Sequence, residues 1–356
     1  MSKFLTAQRK MLTPYTPGEQ PKTRRFIKLN TNESPFPPSP RAQEAGAQAL
    51  ASLQLYSDLE CTELVKKASE LFGVSEEEIL FTNGSDEILN FAFMAFCDAA
   101  HPAVFPDITY GFYPVFAALN QVPYREVPLA EDFRVRVQDY AAAGGTIFLA
   151  NPNAPTGMAL ALSQVEEILR TNPNNVVVVD EAYVDFGGQS AVSLIRRYDN
   201  LLVTRTFSKS RSLAGARLGF GIACKGLIQD LNTIKYSTNP YNVNAVTMAA
   251  GVGALEDEAY TQENIRTICE NREFATKALE KLGFDVLESK ANFVFAKHPR
   301  VSGEQLYLSL KEKGVLVRHF DKARIKDYNR ITIGTKEQMQ QLVEAITEIT
   351  AVEEKR

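Results

Sequence analysis

Lys209 lies in the run Thr206-Phe207-Ser208-Lys209-Ser210-Arg211-Ser212, and Arg217 follows eight residues after it. Hydroxyls and a guanidinium can bind a phosphate, and an amine among them can condense with an aldehyde. One segment could therefore serve a ligand that carries both groups. A solvated Ser-rich basic loop has the same composition, so the rest of the chain must supply the other parts of such a site.

Pyridoxal phosphate carries an aldehyde, a phosphate and a pyridine ring. Asp180 ends the β-branched run Val176–Val179, and α/β sheets place ligands at the carboxyl ends of parallel strands. A partly buried carboxylate there needs a charged partner, and the pyridinium nitrogen would be one; the plainer alternative is an Asp that caps the next turn. Asn153, in Asn151-Pro152-Asn153-Ala154-Pro155-Thr156-Gly157, offers an amide donor for the phenolic oxygen, or belongs to an ordinary Pro-Gly turn. Gly84-Ser85-Asp86 opens an apolar helix whose free N–H groups favour a phosphate, although Ser85 as an N-cap explains it equally well. Among Tyr110, Phe112 and Tyr113, one aromatic could lie against a cofactor ring, or all could belong to a core cluster. Arg330, at the start of an apolar strand, suits a substrate carboxylate or phosphate.

The elements that must position these groups follow from periodicity. Helices are expected over 40–53, 61–72, 86–97, 111–119 and 163–170. Strands are expected over 103–105, 121–127, 146–150, 176–180, 201–206 and 219–223. The run Val176–Val179 has no polar alternation, as expected of a strand covered on both faces. The alternation implies an α/β domain with a largely parallel sheet. A mostly helical stretch over 244–282, interrupted by Gly251 and Gly253, leads into an α+β pattern with strands over 284–288, 292–296, 315–317 and 330–333 and helices over 302–313 and 336–350. The first forty residues, rich in Pro and Asn, read as an extended arm. The expected division is 1–40 as arm and part of a small domain, 41–255 as large domain and 256–356 as small domain.

The 356 residues are 45% hydrophobic and 23% charged with a formal net charge of -4, which is ordinary globular usage without the basic footprint of a nucleic-acid partner. No apolar run approaches the roughly 20 residues of a membrane span, and no secretory pattern opens the chain. Cys61, Cys97, Cys224 and Cys269 are widely spaced, which suits free thiols in a reducing cytosol. His101, His298 and His319 are equally scattered, so no metal site or Ser-His-Asp triad is expected.

The order and spacing of the motifs are harder to attribute to chance than any one of them. From about Pro14 to the C-terminus the chain resembles the fold-type I, class II aminotransferases, and within them the histidinol-phosphate aminotransferases. The narrower likeness rests on 14–18, 29–33, 240–244, 291–294 and the final Arg330-Ile331-Thr332-Ile333-Gly334. The resemblance implies a mostly parallel sheet sandwiched by helices, with a smaller α+β domain built from the arm and the C-terminal part. It implies pyridoxal phosphate and ping-pong transamination between glutamate and imidazole-acetol phosphate in histidine biosynthesis. Lys209 would carry the cofactor and shuttle the proton. Asp180 would pair with the ring nitrogen, Asn153 and Tyr183 would flank the phenolic oxygen, and Tyr110 would stack on the ring. Gly84, Ser85, Asp86, Thr206, Ser208 and Arg217 would surround the phosphate, joined by Tyr56 from the partner subunit of a homodimer with a shared site. Arg330 would hold the substrate carboxylate and phosphate in turn, with Arg318, Tyr15 and Asn32 nearby. A cytoplasmic enzyme is implied.

The chain departs from the family pattern at Arg211 and Ser212, where many members carry small or aromatic residues, and it has no assigned role for Arg24 and Arg25. The rival readings are a threonine-phosphate decarboxylase-like enzyme, an aromatic or broad-specificity aminotransferase, and a non-catalytic protein that retains the fold.

Overall fold

The computed structural model describes residues 2–21 and 24–353. After the arm strand β1 (Ile27–Lys28), the chain enters the helices α1 (Pro40–Ala49) and α2 (Thr62–Phe72). It then alternates through β2 (Ile79–Thr82), α3 (Ser85–Phe96), β3 (Ala103–Pro106), α4 (Tyr113–Asn120), β4 (Tyr124–Val127), β5 (Thr146–Ala150), α5 (Leu162–Thr171), β6 (Val177–Asp180), β7 (Leu201–Thr206), β8 (Gly219–Ala223) and α6 (Lys225–Thr238). These eight-to-fourteen-residue helices and short strands build one sheet in the order β2-β8-β7-β6-β5-β3-β4. Strands β3 to β7 run parallel to their neighbours among themselves, and β8 is antiparallel to both β2 and β7.

The apolar runs have a direct cause. Ile147, Leu149, Val177, Val179, Leu201 and Val203 bury into the core on one face, while Phe148, Val178 and Leu202 bury into the core on the other. A strand covered on both sides has no water-facing position to make polar. Parallel strands also share one direction, so the carboxyl ends of β5, β6 and β7 open at the same edge of the sheet. That edge presents Ala150, Asp180 and Thr204 side by side, with Thr206 two residues further along β7.

Beyond α6, α7 (Ala245–Glu256) and α8 (Glu258–Lys281) lead to β9 (Asp285–Val286), β10 (Phe293–Lys297), α9 (Gly303–Glu312), β11 (Val315–Leu316), β12 (Arg318–His319), β13 (Tyr328–Thr332) and α10 (Lys336–Glu353). Strands β12, β13, β10 and β9 form an antiparallel sheet. The arm joins this part of the molecule because β1 pairs in parallel with β11, Ile27 opposite Val315. Leu29, Ile268, Leu279, Val294, Ile331 and Leu342 share one core there.

Several expected boundaries shift for local reasons. The 244–282 stretch is two helices, parted at Asp257 rather than at Gly251 or Gly253. Both glycines lie inside α7, where a Cβ at Gly253 would come within 2.5 Å of the Arg41 carbonyl oxygen and one at Gly251 within 2.4 Å of Leu218. They permit close helix packing instead of breaking the helix. The strand expected from Gln121 starts only at Tyr124, because Gln121 takes a left-handed conformation at the end of α4. Strand β2 and helix α6 lie outside the periodicity reading; α6 buries only Ile228, Leu231 and Lys235, a narrow stripe with little contrast.

Gly253→Ala should lower stability by roughly 1–3 kcal/mol through overpacking against α1, although alanine is the better helix former. Gly226→Ala, exposed in α6 with its nearest neighbour 4.0 Å from the added Cβ, should be neutral or stabilising by up to about 1 kcal/mol. Urea denaturation midpoints of the two variants check the contrast.

Candidate active site

At the carboxyl edge of the large sheet lies a cavity of about 650 Å³. Its wall brings together Lys209, Asp180, Tyr110, Ser85, Asp86, Tyr183, Thr206, Ser208, Arg217, Arg330, Arg318, Tyr15 and Asn32, which come from both sheets and the arm. Gly84, Asn153 and Tyr56 are not part of that wall in their own chain.

Asp180 is buried at the end of β6. Thr204 donates to its carboxylate at 3.1 Å, the Ala182 N–H at 3.2 Å and the Tyr113 hydroxyl at 3.4 Å. Among the described residues no cation pairs with it, and burial pushes its pKa up to about 6. A buried carboxylate supported by neutral donors calls for a cationic ligand group facing it.

Lys209 follows β7 in the loop that returns toward β8. Its Nζ lies 3.5 Å from the Thr31 carbonyl oxygen and 5.7 Å from the Tyr183 ring centroid, and among the described residues no carboxylate is hydrogen-bonded to it. The neighbouring Ser208 Oγ is buried and has no hydrogen-bond partner. Thr206 Oγ1 accepts from the Ser208 N–H at 3.1 Å, which turns the chain out of β7 and aims both residues at the cavity. Arg217 sits opposite, in a left-handed conformation just before β8, and donates to Asp86 at 2.9 Å. Gly84, at φ +81°, precedes α3 there, and a Cβ would fall 2.6 Å from the Arg217 guanidinium. Gly84 therefore makes room for Arg217. Asp86 holds the arginine and also accepts from the Tyr110 hydroxyl at 2.7 Å; burial and that carboxylate raise the Tyr110 pKa well above its ordinary value. The corner formed by Ser85 at the start of α3, Ser208 and Arg217 has donors for an anion.

Asn153 is buried beside this wall. Its amide donates to the Ile108 carbonyl at 3.0 Å and to Thr156 at 3.1 Å, while its carbonyl accepts from Thr109 at 2.8 Å. Both amide hydrogens are thus engaged, one holding the loop that bears Tyr110 and the other Asn153's own turn, where the sequence reading expects a donor aimed at a ligand. Tyr183 accepts from Asn32 Nδ2 at 3.0 Å. Asn32 is itself pinned by Thr332 and Asn292, which seats the arm over the cavity. Tyr15 stacks on Phe112 with 4.2 Å between ring centroids and closes the same side.

Arg330 on β13 donates to the Asn30 carbonyl oxygen at 3.1 Å, and its buried Nε has no partner. The guanidinium lies between Phe293 and Phe320, 5.3 and 5.8 Å from their ring centroids. Among the described residues no carboxylate pairs with it, and burial lowers its pKa from the usual arginine range. A desolvated, planar, unpaired guanidinium is a receptor for an anion. Arg318 is occupied differently, donating to the Thr16 and Pro17 carbonyls and so clamping the arm. Lys322 also lines the mouth of the cavity and donates to the Asp107 carbonyl oxygen at 2.9 Å.

Tyr56 is 83% exposed and stacks on Tyr241 with 4.6 Å between centroids. Residues given no site role in the sequence reading include Thr204, which donates to Asp180, and Phe293 and Phe320, which sandwich Arg330; Tyr113, read there as a ring neighbour or core aromatic, instead donates to Asp180. The two phenylalanines come from separate strands and loops, and no local spacing links them to the arginine. Among the described residues no helix is long and apolar enough to cross a membrane, and no group of three or more His, Cys, Asp or Glu side chains could hold a metal.

The profile of the family Aminotransferase class I and II matches residues 24–346. The histidinol-phosphate aminotransferase of Brachyspira hyodysenteriae is 47% identical over 348 residues, 97% of this chain and 98% of that protein. Histidinol-phosphate aminotransferase 1 of Bradyrhizobium diazoefficiens is 48% identical over 349 residues, 98% of this chain and 100% of that protein. In fold, the chain matches the crystal structure of histidinol-phosphate aminotransferase from Sinorhizobium meliloti in complex with pyridoxal-5'-phosphate, with a TM-score of 0.91 at 24% identity over 99% of both chains. The chain belongs to the class I and II aminotransferases and, within them, to the histidinol-phosphate aminotransferase family.

Proposed function

We propose that this chain uses pyridoxal phosphate to exchange amino groups between the glutamate/2-oxoglutarate and histidinol phosphate/imidazole-acetol phosphate pairs, as a step of histidine biosynthesis. The observation that carries the reading is the charge layout of one cavity. Among the described residues, a buried carboxylate without a cation, Asp180, and a buried guanidinium without an anion, Arg330, line the same cavity as Lys209.

The residues present fit the cofactor. The orphaned Ser208 Oγ, Ser85 with the N-terminus of α3, Thr206 and Arg217 form a cradle for its phosphate, with Gly84 and Asp86 setting the arginine. When bound, pyridoxal phosphate supplies an electron sink for the bond that breaks at the substrate α-carbon. Asp180 holds a proton on the ring nitrogen. Lys209 would anchor the aldehyde carbon and then move the α-proton. Tyr110 would lie against the ring, and Tyr183 and Asn153 would attend the phenolic oxygen. Arg330 binds the glutamate carboxylate and the phosphate of the second substrate in turn, with Arg318, Tyr15 and Asn32 shaping the entrance.

The division into arm 1–40, large domain 41–255 and small domain 256–356 is supported by the separate cores to which α7 and α8 contribute. A cytoplasmic homodimer completes the reading, with Tyr56 reaching the partner's cofactor phosphate. Exposed Leu50, Leu53, Leu55, Tyr56 and Tyr241 offer the apolar surface for it.

Lys209→Ala should abolish both the visible absorbance of the bound cofactor and glutamate-dependent turnover; a variant that keeps turnover defeats the reading. Arg330→Lys should lower kcat/KM for glutamate and for histidinol phosphate by about ten- to a hundredfold, since a charge-assisted bidentate contact contributes about 1.5–3 kcal/mol. A competition between histidinol phosphate and phenylalanine as donors to 2-oxoglutarate, read by product analysis, should favour histidinol phosphate.

Asp180 generates a pH test. Its folded pKa of about 6 exceeds the ordinary 3.8, so between those values the folded cofactor-free chain keeps a proton that the unfolded chain has lost. Its contribution to stability is present at low pH and is lost as pH rises through about 6, by on the order of 2–3 kcal/mol. Cofactor-free Asp180→Asn should lose less stability than wild type between about pH 4.5 and 7.5 in chemical denaturation. It should also gain less from added cofactor.

A further inference from the structure

Arg211 stands two residues after Lys209, and its side chain turns away from the cavity. Its guanidinium is largely buried, 10% exposed. Nη1 donates to the Ala254 carbonyl oxygen at 2.8 Å, in the last turn of α7, and reaches Thr261 Oγ1 at 3.4 Å in α8. Nη2 pairs with the Glu258 carboxylate at 2.7 Å, at the first residue of α8. The cation thus spans the single non-helical residue, Asp257, at which α7 ends and α8 begins.

That joint is where the chain passes from one core to the other. Ala250, Ala254 and Leu255 pack into the core of the large sheet, whereas Ile268, Ala275 and Leu279 pack into the core of the smaller one. The unpaired carbonyls at the end of α7 attract a cation, and so does the acidic first turn of α8. Arg211 satisfies both ends, and a change in the angle between the two helices must stretch or release one of its contacts. The neighbours of Arg211 tie the same loop elsewhere: Ser210 donates to Asp185, and Ser212, at φ +58°, bonds the Ser34 hydroxyl of the arm at 2.8 Å.

We propose that Arg211 is a positioning residue that couples the placement of Lys209 to the α7–α8 joint, through the Arg211–Glu258 pair. The inference rests on the reading of Lys209 as the residue that carries the cofactor. Its consequence is that the angle between α7 and α8 sets the position of the lysine amine, so the link acts on the chemical step more than on ground-state binding.

The test compares Arg211→Met, Arg211→Lys, Glu258→Gln and the double variant Arg211→Met/Glu258→Gln, each saturated with pyridoxal phosphate. Arg211→Met should lower kcat about tenfold or more while the KM for glutamate changes by less than about threefold. Arg211→Lys should recover part of kcat, and Glu258→Gln should fall in the same direction. The double variant should be no worse than the poorer single one, because both remove one link. In the cofactor-free protein, amide exchange over residues 207–216 should quicken in Arg211→Met and Glu258→Gln relative to wild type. Unchanged kcat together with unchanged exchange would overturn the proposal, even where the melting temperature drops, since that pattern belongs to a tie that only stabilises. Should Arg211→Met not fold, Arg211→Lys and Glu258→Gln carry the same comparison. Failure of the underlying reading is separable, because Lys209→Ala would then retain the cofactor's visible band while the exchange measurement still reports on the Arg211 link.

Discussion

The site depends on a buried ionic network behind it. Arg205, one residue before the end of β7, pairs with Glu181 at 3.3 Å and with Asp185, and its guanidinium lies over the Phe72 ring. Glu181 follows Asp180 directly and also accepts from Ser190 at 2.7 Å. Asp185 accepts in addition from Ser210, the residue after Lys209. The network therefore joins the neighbours of the two groups whose spacing matters most, Asp180 and Lys209. Buried pairs of this kind add little net stability, because desolvating the charges offsets their attraction. What they impose is geometry: Glu181 left without the arginine would be an uncompensated buried charge, and Asp185, partly exposed, fixes the other side of the guanidinium. Burial already pushes Glu181 up to about 7 in spite of Arg205.

With that frame in place, the cavity works by separation of charge. Asp180 is solvated by three neutral donors, and Arg330 is sandwiched by two aromatic rings. Each is ready for a ligand of opposite sign, and low polarity around both strengthens the attraction. An aromatic cluster of Ile108, Leu129 and Phe133 with Phe295, Ile325 and Tyr328 closes the space between the two bodies on one side. Asn32 of the arm closes it on another, through Tyr183, Asn292 and Thr332.

Much of this was legible before folding. The runs over 146–150 and 201–206 are strands with the expected ends, because both faces are covered and the signal is hydrophobicity alone. Strand β2 was not legible: its four residues sit at the sheet edge between turns, and pairing with β8 is what makes them a strand. Gly251 and Gly253 read as helix interruptions because local propensity counts their backbone freedom, yet the demand for close approach of α7 to α1 and Leu218 outweighs it.

The site divides in the same way. Lys209, Asp180, Tyr110, Ser85, Arg217 and Arg330 could be named from motif chemistry because each sits in a short run whose residue types are local, although Arg330 lies in the middle of β13 and not at the start of its strand. Sequence by itself determined the residue types, their order and the elements that carry them, since periodicity and turn chemistry act over a few residues. Only the tertiary structure decided that Asn153 spends its amide on Ile108 and Thr156, that Asp86 restrains Arg217, and that Arg330 is left unpaired between Phe293 and Phe320. Those outcomes turn on which distant segments meet and which polar atoms are thereby satisfied, and long-range packing settles that.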